Sequence, residues 1–354
     1  MCIQREGVSS ASTERASQHL TKRSKMRLLF GVSLIVTLAV AAAVYFMMGM
    51  PGKSRNREPG APIDRGLEGR LRSHIQHLAG EIGERHFRRG DTLDRSLRYI
   101  ERAFSSLDYE SQRLAYRLPG GYTFYNLESD LEGTNRPNEI IVIGAHYDTV
   151  PGTPGADDNA SGSAALIELA RLLKAQPLER TVRFVAFVNE EEPFHSTQMG
   201  SGIYARAARE RGVNIIGMLS LESIGYYDDR PNTQHYPRIF QWFYPSIGSF
   251  VAFVGNLKSR PLLRKAIRAF RVHTAFPSEG VVAPERLVPD IGRSDHSSFW
   301  REGYPAIMVT DTVPFRNPNY HRPSDTPETL RYDYMSLVVQ GLAKTIADLA
   351  NEGD

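Results

Sequence analysis

Cysteine is close to absent from these 354 residues: Cys2 is the only one. No disulfide can form within the chain, and thiolates are not available as a metal-ligand set. A chain of this length can bury a full hydrophobic core and does not depend on covalent staples. A Gly-x-Ser-x-Gly nucleophile elbow is missing too. The stretch Gly200-Ser201-Gly202 offers a serine without that pattern, so Ser201 reads as a helix start rather than a nucleophile. Internal repeats and low-complexity tracts are likewise absent. Charge of either sign is missing from residues 28–50, LLFGVSLIVTLAVAAAVYFMMGM. Those 23 residues exceed the roughly 20 that cross a hydrocarbon core as a helix.

That run reads as one membrane span. Lys22, Arg23, Lys25 and Arg27 precede it, and Lys53, Arg55 and Arg57 follow. The denser positive flank expects a cytoplasmic N-terminus and an extracytoplasmic remainder. Ala39-Val40-Ala41 offers the competing reading of a cleaved signal, but the apolar run continues well past it, and the uncleaved anchor is the expectation. The net charge is +3, yet residues 1–57 hold nine Lys or Arg against Glu6 and Glu14, which leaves −4 for the rest. The basic balance belongs to the N-terminus, and no nucleic-acid partner is implied. The expected division is a basic segment 1–27, an anchor 28–50, a Pro/Gly-rich linker 51–66 and one domain over 67–350.

Within that domain Leu67, Leu71, Ile75, Leu78 and Ile82 recur at helical spacing, as do Leu93, Leu97, Ile100, Phe104 and Leu107. Two strand-like segments follow, RLAYRL and YTFYNLESDL. Then strands EIIVIGA, TVRFVAFV, IIGMLSL and YPAIMVT alternate with helices SAALIELARLLKA and GIYARAARERG, and YMSLVVQGLAKTIADLA closes the chain as a helix. Buried apolar strands alternating with helices predict an α/β domain with a largely parallel central sheet. The aromatic-rich stretch 239–253 is read either as a cleft wall or as core.

Ligands of open α/β sheets gather beyond the carboxyl ends of the strands. EIIVIGA runs into His146 and Asp148. TVRFVAFV runs into Asn189, Glu190, Glu191 and Glu192, and IIGMLSL into Glu222. YPAIMVT runs into Asp311 and on to His321 and Asp325. Two histidines and several carboxylates converging without cysteine favour a hydrolytic site for divalent ions, zinc first. A two-metal site needs one bridging carboxylate and further ligands for each ion.

The motifs GAHYDTV, GADDNASG, FVAFVNEEE with MGS, LSLESIGYY, SDHSSFW with GYPAIMVTDT, and NPNYHRPSDTPETL come in one order over residues 67–350. In these the chain resembles the M28 metallopeptidases, the co-catalytic di-zinc aminopeptidases. The resemblance implies a three-layer α/β/α fold of the zinc-exopeptidase (phosphorylase/hydrolase-like) type. It implies two zinc ions per chain, a peptide substrate with a free N-terminus, and a metal-bridging water. His146 and Glu222 would hold one zinc, Glu191 and His321 the other, with Asp158 between them. Asp148 would support His146 from behind, and Glu190 would be the general base. On bare loop geometry Asp157 competes with Asp158, which stands four residues before Gly162 as the family's bridging Asp does. Glu192 stands where this branch often has proline, so a slip of one residue would rename base and ligand. Many members have Asp where this chain has Glu222, which bears on the spacing of the metals.

Lone histidines such as His195, His235 and His273 are read as solvated or hydrogen-bonding residues. Asp295 and His296 either line the site or form a structural turn. Two other functions stay open: a glutaminyl-cyclase-like transferase using one zinc, and a receptor-like binding domain without catalysis. Filled ligand positions weigh against the second.

Overall fold

The computed structural model describes residues 9–54, 62–191, 197–236 and 240–352. Cys2, Glu192, His195 and the middle of the linker therefore lie outside the described residues. The chain divides into two compact units, Met1–Gly49 and Met50–Asp354. The first contains helix α1, Ser9–Met48. Its segment Lys25–Met48, 24 residues with a mean hydropathy of 2.4, is long and apolar enough to cross a membrane. A membrane anchor and a signal sequence both fit that description.

The second unit opens with α2, Arg65–Ile75. The Asp64 carboxylate accepts the Leu67 N–H at 2.9 Å and caps it. The chain continues through a wider π-type turn, Gln76–Ile82, so the expected first helix changes pitch halfway along. Helix α3, Thr92–Ser105, buries Leu97, Ile100 and Phe104 along one stripe. Each of those side chains contributes roughly 1.5–3 kcal/mol by leaving water. Strands β1 (Ser111–Arg117), β2 (Thr123–Leu131) and β3 (Arg136–His146) follow. After them come α4 (Gly162–Leu173), β4 (Arg180–Phe187), α5 (Gly200–Glu210) and β5 (Ile215–Glu222). Then β6 (Val251–Asn256), α6 (Arg260–His273) and β7 (Ser278–Ala283) are inserted. The chain ends with α7 (His296–Arg301), β8 (Ala306–Thr310), α8 (Val313–Arg316) and α9 (Tyr332–Asn351).

The strands form one eight-stranded sheet in the order β1-β2-β4-β3-β5-β8-β6-β7. Neighbours β3/β4, β3/β5, β5/β8 and β6/β7 are parallel, and β1/β2, β2/β4 and β6/β8 are antiparallel. The sheet is thus mixed around a parallel centre, as expected. The insertion β6-α6-β7 was not expected. Its signal was present in Leu263, Ala266, Ile267 and Phe270, whose helical spacing buries one face of α6.

From β3 the chain crosses through α4 to β4 on one side, then returns through α5 to β5 on the other. Right-handed crossovers in opposite directions place their helices on opposite faces. Helices α2, α4, α6 and α9 accordingly pack with one another, while α5 packs with α7. The reversal also leaves a crevice at the carboxyl ends of the adjacent strands β3 and β5.

Candidate metal centre

Strand β3 ends on His146 and β5 on Glu222, so the two residues meet across the crevice. His146 Nε2 lies 3.3 Å from Glu222 Oε2 and 3.3 Å from Asp158 Oδ1. Beyond β8 the loop returns to His321, whose Nε2 lies 3.1 Å from Asp158 Oδ2 and 3.4 Å from Glu191 Oε1. The imidazole stacks on Tyr320 with ring centroids 3.7 Å apart. Donor atoms of His146, Asp158 and Glu222 lie within 4.8 Å of one another, and so do those of Asp158, Glu191 and His321. Asp158 belongs to both groups. A third grouping of His146, Glu190 and Glu191 lacks it.

The loop holding Asp158 is over-determined. Gly155 takes φ 58°, and a Cβ there would collide with the Asp158 carbonyl oxygen. The Asp158–Asn159 peptide is cis. Asn159 donates to the Leu221 carbonyl at 2.8 Å and accepts from the Gly162 and Ser223 amides. The Asp325 carboxylate accepts the amides of Asp157 and Asp158 at 3.0 and 3.2 Å. The Asp157 carboxylate points elsewhere, accepting from the Gly225 amide and the Asn317 side chain. Its neighbour Asp158 is the one that meets the histidines.

Asp148 has partners beyond His146. Its carboxylate accepts the Glu190 and Glu191 amides, both at 3.2 Å. His146 Nδ1 instead lies 3.2 Å from the Asp148 backbone carbonyl, with the carboxylate at 3.6 Å. Asp148 therefore anchors the acidic turn while its main chain orients the imidazole. Glu222 is held by Ser294 Oγ at 2.7 Å and Ser223 Oγ at 3.2 Å, which steady the longer side chain. Ser294 thus gives the SDHSSFW segment a place in the site. His296 turns away, donating from Nε2 to the Ile291 carbonyl at 2.6 Å and packing edge-on against Trp300. Burial lowers its pKa to about 4 and keeps it neutral. Asp295 is fully buried and raises the Glu190 pKa through its charge. Ser201 lies in the first turn of α5 and pairs with Ser298 Oγ at 2.9 Å rather than capping the helix. His235 is exposed, and His273 pairs with Asp348 at 2.8 Å.

Arg85 is the support that sequence reasoning missed. It is fully buried and donates to the carbonyls of Leu78, Gly83, Tyr147, Pro154 and Gly155. Burial lowers its pKa to about 10, against the opposing fields of Asp325, Asp148 and Asp158, so it stays charged. It thereby ties down the backbone on both sides of the β3 loop. Nothing in the sequence separates it from the exposed Arg88 and Arg89 nearby.

The residues fit a metal. His146 Nε2 and Asp158 Oδ1 are buried without a hydrogen-bond partner. Both face the same space as Glu222. Burial and the Asp158 charge push Glu191 up to about 8, and burial with the charges of Glu191, Glu222 and Asp295 raises Glu190 well above the carboxylate range. Two imidazoles and Arg85 do not offset Asp148, Asp158, Glu190, Glu191 and Glu222. Buried acidic groups in this excess call for bound cations. Nitrogen and oxygen donors without thiolate suit zinc.

The model of peptidase family M28 matches residues 126–346. The chain belongs to this family. It is 38% identical over 282 residues to the uncharacterized protein YfbL of Escherichia coli (strain K12), covering 77% of this chain and 85% of that one. It shares the fold of BSAP, a zinc aminopeptidase from Bacillus subtilis, with a TM-score of 0.65 and 15% identity over 84% of this chain and 97% of that one. A Bacteroides thetaiotaomicron glutaminyl cyclase shares the fold as well, with a TM-score of 0.60 and 17% identity over 79% and 97% of the two chains. Among its sequence relatives is a probable zinc metalloprotease of Leptosphaeria maculans, 27% identical over 218 residues that cover 56% of this chain and 49% of that one.

Proposed function

We propose that this M28 protein is a membrane-anchored aminopeptidase that hydrolyses the peptide bond next to a free N-terminus. In this reading His146, Glu222 and Asp158 would hold one zinc, and Glu191, His321 and Asp158 would hold a second. The observation that carries it is the presence of Asp158 in both donor groups. Bound zinc supplies Lewis acidity, toward a water and toward the scissile carbonyl.

The chain's own residues do the rest. Glu190 takes the proton from the attacking water and passes it to the leaving amine nitrogen as the C–N bond breaks. Its amide is tethered to Asp148, and it lies outside both groups that contain Asp158. Its raised pKa is the direction required of a carboxyl that must carry a proton between steps. The excess of carboxylates at the rim attracts the substrate's ammonium group.

The glutaminyl cyclase of the same fold supports one alternative, a transferase in which no water attacks. Two donor groups around one aspartate favour two ions and hence the peptidase. A non-catalytic role would tolerate broken ligand positions, and here each carries a residue able to bind zinc.

Metal analysis of the purified protein should give close to two zincs per chain, with hydrolysis of aminoacyl-anilides. One zinc, with cyclisation of an N-terminal glutamine in place of hydrolysis, would establish the cyclase. Activity with no divalent metal and no response to chelators would overturn both. For the anchor, the protein should stay with membranes after salt washing, with its catalytic domain outside the cytoplasm. A soluble mature form beginning near residue 42 would instead reveal a cleaved signal.

A further inference from the structure

A cavity of about 150 Å³ opens beside Glu222. Strand pairing shows where it leads. Glu222 stands opposite Thr310, Thr310 opposite Ala252, and Ala252 opposite Glu279. Residues directly paired across strands point to the same face of a sheet. Glu279 is therefore on the same face as Glu222, three strand spacings away, or about 14 Å between main chains. The next such row, Met308, Val254 and Val281, floors the cavity between them.

The walls are aromatic and apolar. Phe250 and Phe315 face the cavity, as do Tyr236 and Tyr244. The two tyrosine rings stack at 5.7 Å. Their hydroxyls are already engaged, donating to the Pro245 and Gly280 carbonyls at 2.7 and 3.0 Å. Ring faces rather than hydroxyls are left for a guest.

Charge in this lining is unevenly paired. Asp290 and Arg293 form an exposed pair at 3.6 Å. Glu279 makes no salt bridge among the described residues; burial raises its pKa, and the Ser54 hydroxyl nearby acts against that rise. Arg271 is close enough to exert a favourable field on it. Its N–H groups, however, donate to Ser278 and to the Pro51 and Gly52 carbonyls. A half-buried carboxylate at the far side of an aromatic box, away from the metal groups, suits a guest with an apolar stem and a cationic tip.

We infer that this cavity receives the side chain of the substrate's first residue, and that Glu279 selects a long basic side chain there, lysine or arginine. The inference rests on the aminopeptidase reading and names its substrate class. A lysine side chain spans roughly 6 Å in its bonds of about 1.5 Å. Glu222 and Glu279 both line the cavity, and the guest shares the roughly 14 Å between their main chains with those two side chains. A leucine or phenylalanine would strip water from Glu279 and return nothing, whereas an ammonium or guanidinium restores its pairing.

The test uses the zinc-loaded full chain with lysyl-, arginyl-, leucyl- and phenylalanyl-anilides. The expected wild-type kcat/KM favours lysyl and arginyl substrates. Glu279→Gln should lower the lysyl-to-leucyl ratio by about 10- to 100-fold, as befits the loss of one charged hydrogen bond. A wild-type preference for leucyl, or a ratio unmoved by Glu279→Gln, overturns the inference and leaves the aminopeptidase standing. Calorimetry on the wild-type protein supplies a reading independent of turnover and of the variant's folding. Lysinamide should bind at least about tenfold more tightly than norleucine amide, again on the scale of one charged hydrogen bond. Equal binding overturns the inference. Failure to hydrolyse any anilide would count against the aminopeptidase reading, and the amide titration would still decide the pocket.

Discussion

Glu168 and Asp158 stand ten residues apart, both buried and both facing cationic or imidazole groups, yet their oxygens are treated differently. Glu168 Oε2 receives Arg70 Nε at 2.7 Å, and Oε1 meets His74 Nε2 and Arg171 Nε, each at 3.1 Å. Both of its oxygens are satisfied, and the cluster joins α2 to α4. Asp158 Oδ1, by contrast, has no hydrogen-bond partner, and neither does the His146 Nε2 beside it. A buried polar atom left unpaired costs about 1–3 kcal/mol. At the candidate centre a bound cation would complete both atoms. Between these two clusters, satisfaction of the donors and acceptors, rather than burial or acidity, is what differs.

The sharpest way to break this contrast is to change groups on the binding side and read chemistry. Glu190→Gln should lower kcat by about 10²- to 10⁴-fold with zinc content and KM nearly intact. Glu191→Gln should lose zinc. If Glu190→Gln loses zinc while Glu191→Gln keeps it, the assignment is displaced by one residue. Chelation comes next. Removing a tightly bound ion should lower unfolding stability by about 4 kcal/mol where free zinc exceeds its dissociation constant a thousandfold. Denaturant melts with and without chelator measure this, and Glu168→Gln should show the same chelator-induced drop.

Arg85 serves the binding side through purely structural bonds, so it should show both signatures. Arg85→Met leaves the five carbonyls it serves without their donor. A loss of at least about 3 kcal/mol is expected, since the five bonds are worth roughly 0.5–1.5 kcal/mol each. Zinc affinity measured by competition should fall with it. An unchanged zinc affinity would show that the loop holds Asp158 without this support.

The smallest effect is expected at Glu168→Gln, about 1–2 kcal/mol, with kcat unchanged. Burial alone would raise the Glu168 pKa, but the bonds from His74 and Arg70 outweigh it and the net shift is downward. A depressed folded-state pKa stabilises above the unfolded value, near 4.3, and the gain disappears as pH falls through the folded value. The stability gap between wild type and Glu168→Gln should therefore be full at neutral pH and close below about pH 4. A gap that persists at low pH would assign the effect to packing instead of charge.

The alternation of buried strands and helices was legible because a parallel sheet covered on both faces leaves continuous apolar runs in the sequence. The strand-end positions of His146 and Glu222 were legible too, since open α/β sheets present polar residues at that rim. The insertion β6-α6-β7 was harder to read, because its short strands follow a stretch whose aromatics fit wall and core equally. The use of the Asp148 carboxylate for two backbone amides was invisible, since it depends on where the turn at Glu190 and Glu191 folds back.

Local pattern alone thus determined the class of fold, the apolar N-terminal helix and the kinds of side chain gathered at one rim, because each depends on periodicity or on neighbours a few residues away. Only the tertiary structure decided that Asp157 turns toward Asn317 while Asp158 meets both histidines, that Arg85 underlies the loop, and that Glu279 shares a sheet row with Glu222. The reason is physical. Which of two adjacent carboxylates faces inward, and which distant strands lie side by side, are set by backbone pairing between segments far apart in the chain, where sequence spacing carries no distance information.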